Sequence, residues 1–168
     1  FDAHFDLRDG ISNGSPVFRL VHAGLKPENI LQIGIADFSN SPEYAARARE
    51  LGITVVSRAD IRRQGIETVV HDALKKIGKN VDAIYVDIDV DVCDRSVVPA
   101  CPAAAPGGIS ADELRTAARM IGSNLKVKAF DITEIDALAD SVDQRTVRLA
   151  ALVLLEAAAG RLHALRSR

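Results

Sequence analysis

Two cysteines, Cys93 and Cys101, are all that 168 residues provide, too few for a disulfide framework and in keeping with a reducing, cytoplasmic setting. No apolar run approaches the roughly 20 residues that cross a bilayer, and the apolar stretch at 147–159 carries Arg148 and Glu156, as a buried helix of a soluble protein does. A basic excess is missing too: the formal net charge is −2, which leaves no electrostatic footprint for nucleic acid. Without internal repeats or low-complexity linkers, a chain of this length is expected to form one domain. There is no initiator methionine either. Phe1 opens the sequence in the middle of a motif, and the expectation is that residues 1–168 form the C-terminal part of a single longer domain.

What the sequence does contain is a regular alternation of short β-rich runs and longer helical patterns. Strands are predicted at 29–35, 53–56, 82–88 and 127–132. Helices are predicted at 41–51, with Pro42 near its start and Gly52 past its end, and at 66–77, where Ile66, Val69, Val70, Ala73, Leu74 and Ile77 repeat at helical spacing. A third helix runs from a Ser110/Glu113 capping box to about residue 121, and a long last one covers 142–165. This order predicts an α/β fold of three layers, α-β-α, around a mostly parallel sheet.

Acidic residues gather where those strands end, which is where ligands bind in open parallel sheets. Asp87, Asp89 and Asp91 alternate with Ile88, Val90 and Val92, so an extended chain puts the three carboxylates on one face, about 6 to 7 Å apart. Asp2, His4 and Asp6 repeat the same period. Such carboxylates repel one another unless a cation lies among them. Carboxylates with one imidazole and no thiolate suit a divalent ion, manganese before zinc, and two clusters suggest two ions that together activate a water molecule. At the end of the fourth strand, Asp131 or Glu134 could accept hydrogen bonds from a cationic amidine or guanidine.

These residues resemble the ureohydrolases, the metal hydrolases that include arginase, agmatinase and formimidoylglutamase. The likeness rests on Asp-Ala-His-Phe-Asp at 2–6, on Asp89-Val90-Asp91-Val92-Cys93-Asp94 with Pro99 and Pro106-Gly107-Gly108 following, and on Thr133-Glu134. The resemblance implies two Mn2+ ions, with Asp2 and Asp89 bridging them, His4 and Asp91 completing one site and Asp6 binding the other. Asp87 has no ligand role in this correspondence, and one further histidine is expected upstream of Phe1. His22, His71 and His163 are read as structural or surface residues.

Within the family, the Asp6-Leu7-Arg8 and Ser12-Asn13-Gly14-Ser15-Pro16 segments are most like those of formimidoylglutamases, because Asn13 stands where arginases and agmatinases carry a histidine. The resemblance therefore implies hydrolysis of N-formimidoyl-L-glutamate in histidine breakdown. Asp6 and Glu134 are the catalytic candidates, and Arg8, Asn13 and Glu134 the substrate contacts; Arg8 offers a planar fork to a carboxylate. A small-molecule substrate and a homo-oligomer, trimer or hexamer, are implied as well. A guanidino hydrolase and an inactive structural or regulatory relative are the alternatives. The second is motivated by Ala100, which replaces a family glycine and is expected to restrict the backbone near the site.

Overall fold

A computed structural model describes residues 1–167 and contains the expected alternation. Helix α1 (Pro16–His22) leads into β1 (Leu31–Ile35), α2 (Pro42–Leu51), β2 (Thr54–Ser57), α3 (Arg58–Gln64) and α4 (Ile66–Ile77). Then come β3 (Ile84–Asp89), α5 (Ala111–Ser123), β4 (Val127–Thr133) and α6 (Arg145–Arg166). The capping box of α5 forms in both directions: Ser110 N donates to Glu113 Oε2 at 2.7 Å and Glu113 N to Ser110 Oγ at 3.2 Å. Helix α3 escaped the periodicity analysis, although Ser57 and Asp60 make the same reciprocal box at its start. Helix α6 begins later than its apolar pattern because the Asp140 carboxylate takes Thr146 Oγ1 at 2.9 Å and Val147 N at 3.0 Å, ending the loop there.

Strands β1 and β2 pair in parallel, as do β3 and β4. The opening residues close the gap between the two pairs. Phe1 N donates to Asp87 O at 2.8 Å and Asp89 N to Phe1 O at 2.9 Å, while Asp2 N donates to Ile33 O at 3.0 Å and Ala36 N to Ala3 O at 2.9 Å. The spatial order is therefore β2, β1, residues 1–3, β3, β4. Two apolar clusters flank this sheet. One joins Ile33, Ile88 and Val92 to Val70, Leu114, Ile121 and Val153 of the helices, and the other joins Phe5, Leu7, Ile35 and Ile53 to Ala48, with Phe18 and Tyr44 at its margin. The result is the three-layer α/β arrangement expected. Among the described residues no helix is long and apolar enough to cross a membrane.

Gly34 lets Ile33 and Ile35 serve opposite clusters. The β1–β2 register shifts between these two isoleucines, and Gly34 sits at φ +105°, a conformation that favours glycine. A Cβ there would lie 2.2 Å from Val92 Cγ2, pushing away the turn that carries Asp91. Gly34→Ala combines backbone strain with overpacking and is expected to destabilise the fold by roughly 3 kcal/mol. Urea unfolding checks this, and an unchanged midpoint at unchanged slope would show that the bulge tolerates a side chain.

Candidate metal centre

The first acidic stretch is shaped by what lies under it. Ala3, Phe5 and Leu7 are buried, so the alternation of an extended chain sends Asp2, His4 and Asp6 the other way. Asn40 and Gln32 fasten the segment from below. Asn40 Oδ1 accepts from Phe5 N at 3.0 Å, its Nδ2 donates to Ala3 O at 2.8 Å, and Gln32 Nε2 donates to Phe5 O at 2.9 Å. The extended run stops at Asp6, whose φ is 52°. Sequence reasoning missed Asn40 and Gln32; their one signal was an amide inside or just past a strand that ends at the ligand rim.

The second stretch departs from expectation. Strand β3 ends at Asp89, and Val90–Val92 form a 3-10 turn, so Asp87, Asp89 and Asp91 do not share one face of one strand. The cause is local: the Asp89 carboxylate accepts Asp91 N at 2.9 Å and caps the turn. Behind it, Gly108 packs so closely that a Cβ would lie 2.2 Å from the Cys93 carbonyl carbon, whereas Gly107 has open space but sits at φ +89°, a conformation that favours glycine.

The turn brings Asp91 to the first stretch. Asp91 is 1% exposed; its Oδ1 accepts from Ala3 N at 2.8 Å, and its Oδ2 lies 2.7 Å from His4 Nδ1. That contact is not aligned as a hydrogen bond, and Oδ2 is otherwise buried without a partner. Asp2 Oδ1 accepts from His4 N at 2.5 Å and lies 3.6 Å from His4 Nδ1. Asp2, His4 and Asp91 thus offer ligand atoms that all lie within 4.8 Å of one another. Two carboxylates and one imidazole converging on one spot make an arrangement that a cation would complete, and oxygen and imidazole donors suit a hard to borderline divalent ion.

Asp6, Asp89 and Glu134 border this triad without joining it. Asp89 is raised to about 9, by burial first and then by the charges of Asp91, Asp2 and Glu134. Asp6 is raised to about 7, again by burial and then by Asp2. Asp87 is pushed up to about 6, chiefly by burial, and Thr133 Oγ1 donates to its Oδ1 at 3.4 Å. Glu134, half-buried, has φ 64°, a strained conformation of the kind that clusters at functional sites.

His4 is held at about 10 by its contacts with Asp2 and then Asp91. Burial tends to raise Asp91 as well, but His4 and the Ala3 N–H outweigh it and keep that carboxyl below its ordinary range. In the metal-free protein, the stabilisation from His4 is complete below its ordinary 6.5 and disappears as pH rises through about 10. The raised Asp6 and Asp89 act oppositely, penalising the fold once pH exceeds their ordinary 3.8. A cation must displace protons from His4 and Asp89, so binding near pH 7.5 is expected to release roughly two protons and to weaken as pH falls. Calorimetric titration in two buffers of different ionisation heat measures this; pH-independent binding with no proton release would place the cation elsewhere.

A cavity of about 320 Å³ adjoins the triad, lined by His4, Asp6, Arg8, Asn40, Ser41 and Tyr44 among others. Arg8 is thereby brought to the site. Gly14 lines the cavity, whereas Asn13 is exposed and is not among the lining residues. Ala100 creates no strain: it is absent from the positive-φ residues, and its N–H donates to Thr146 Oγ1 at 3.1 Å. The restriction expected from that substitution has no counterpart in the backbone. His22, His71 and His163 are exposed, the first with Nδ1 2.8 Å from Phe18 O and the second beside Asp72. A larger cleft of about 430 Å³ among α4, α5 and α6 holds Arg115 and Arg119, both already paired with Glu156, and lies away from the strand ends.

Comparisons with known proteins agree with this fold. The chain is 39% identical over 160 residues to the formimidoylglutamase of Halalkalibacterium halodurans, covering 92% of this chain and 50% of that protein. The crystal structure of formimidoylglutamase from Bacillus subtilis superimposes with a TM-score of 0.91 at 36% identity, over 95% of this chain and 51% of the other. Proclavaminate amidino hydrolase from Streptomyces clavuligerus gives 0.84 at 27% identity, over 97% of this chain and 55% of that one. The chain spans about half the length of the curated relatives it matches. Because the arginase family profile matches residues 1–160, nearly the whole chain, this protein belongs to the arginase family.

Proposed function

We propose that this chain carries most of the active site of a binuclear manganese hydrolase that cleaves a C–N bond of a linear amidine, with N-formimidoyl-L-glutamate as the substrate. The net reaction adds one water across the bond between the formimidoyl carbon and the glutamate nitrogen, giving formamide and L-glutamate. The carrying observation is the convergence of Asp2, His4 and the buried Asp91 in a triad of ligand atoms within 4.8 Å, beside a cavity that Arg8 lines.

In this proposal Asp2, His4, Asp89 and Asp91 would hold one ion, and Asp6 together with Asp2 and Asp89 would hold the other. The bound ions supply Lewis acidity and bring water into its nucleophilic range near neutral pH. The chain's own residues do the rest. Arg8 fixes a substrate carboxylate through a charge-assisted fork, and Glu134 accepts an N–H of the cationic amidine and so orients its carbon. The free, buried Cys93 and Cys101 fit work in the cytoplasm, and a homo-oligomer, trimer or hexamer, is proposed by family likeness.

The similarity to proclavaminate amidino hydrolase keeps a guanidino hydrolase as the second reading. Assay of the intact manganese-loaded protein separates the two. Formamide and glutamate from N-formimidoyl-L-glutamate support the first, urea from guanidino compounds the second, and neither product despite full metal loading rejects both.

A further inference from the structure

Arg58 has no local reason to be where it is. It is the first residue of α3, where the helix dipole disfavours a cation, and it is only 8% exposed. Among the described residues no carboxylate forms a salt bridge with it, and its Nε is buried without a partner. Its one hydrogen bond runs from Nη2 to the backbone oxygen of Asp91, at 2.7 Å. A buried guanidinium with a single neutral acceptor is expensive unless the surrounding potential is strongly negative. Burial is the largest effect on Arg58 and pulls it below its ordinary range; what opposes that cost is the electrostatic pull of Asp91 first, then of Cys93, Asp94 and Asp2.

We infer that Arg58 is a positioning residue that serves as the internal counter-ion of the acidic cluster, holding the Asp91 turn in place while no divalent cation is bound. The inference rests on the metal-site proposal above. It carries a sign that an ordinary scaffold residue does not. Arg58 and a bound cation both relieve the same carboxylate repulsion, so each makes the other less necessary, and by linkage the loss of one increases the benefit of the other. A residue that merely shaped the turn would instead favour metal binding, and its loss would weaken it.

The test compares wild type, Arg58→Met and Arg58→Lys in the full chain, stripped by chelation and then reloaded with manganese. Metal-free Arg58→Met is expected to melt about 10 °C below wild type, with less than half that deficit after loading, and to bind manganese about tenfold more tightly. Arg58→Lys, which keeps the charge, is expected to recover at least half of the metal-free deficit, and it decides the matter should the methionine variant fail to fold. Equal deficits in the two states, weaker manganese binding, or a lysine variant no better than methionine overturns the counter-ion role. Wild type that gains no stability from manganese overturns the metal proposal itself, so the two failures are told apart.

Discussion

Asp91→Asn is expected to lower the affinity for manganese at the triad at least about 100-fold and to abolish turnover, while the fold survives. The asparagine oxygen can still accept from Ala3 N, the bond now made at 2.8 Å, so the turn keeps its anchor. What disappears is Oδ2, the buried oxygen 2.7 Å from His4 Nδ1; an amide nitrogen in its place cannot bind a cation. Removing the charge also forfeits the ion pair with His4 that keeps Asp91 below its ordinary range, so the metal-free variant is expected to melt somewhat below wild type while remaining folded. Metal content by elemental analysis with a parallel far-ultraviolet circular dichroism melt checks both halves. Unchanged manganese content would remove Asp91 from the ligand set.

Arg8→Ala tests the other side of the cavity. A hydrogen bond between charged groups is worth about 1.5–3 kcal/mol, so losing the guanidinium is expected to raise KM for N-formimidoyl-L-glutamate by roughly 10- to 100-fold, with kcat and metal content nearly unchanged. Substrate analogues without the carboxylate should be indifferent to the change. Steady-state kinetics on both substrates decides it, and a variant that lost metal while keeping its KM would make Arg8 a support of the ligand loop. The geometry leaves room for the first outcome: Arg8 N is tied to Gly14 O at 3.0 Å while its exposed side chain lines the cavity.

Much of this was legible before any coordinates. Strand–helix alternation revealed the layer architecture because burial imposes a period of two on strands and 3.6 on helices, and both capping-box residues of α5 stand in the sequence as a Ser and a Glu at the required spacing. The ligand pairing of Asp2 and His4 with Asp91 followed from motif likeness and strand-end logic. The route to it did not: alternation alone keeps Asp91 on an extended strand, whereas an aspartate side chain that captures an N–H two residues on bends the chain into a turn. Helix α3 was missed because Arg58–Gln64 buries Arg58 and Ile61 but no apolar series long enough to show a period. Asn40 was invisible for a different reason, since what its amide holds, Ala3 O and Phe5 N, is distant in sequence.

The most direct test of the metal centre is an anomalous difference map from crystals of the intact protein grown with manganese. The account expects two peaks about 3.5–4 Å apart, one within coordinating distance of Asp2, His4 and Asp91. A map without anomalous density among these three side chains, with His4 still lodged against the Asp91 carboxylate, would contradict it.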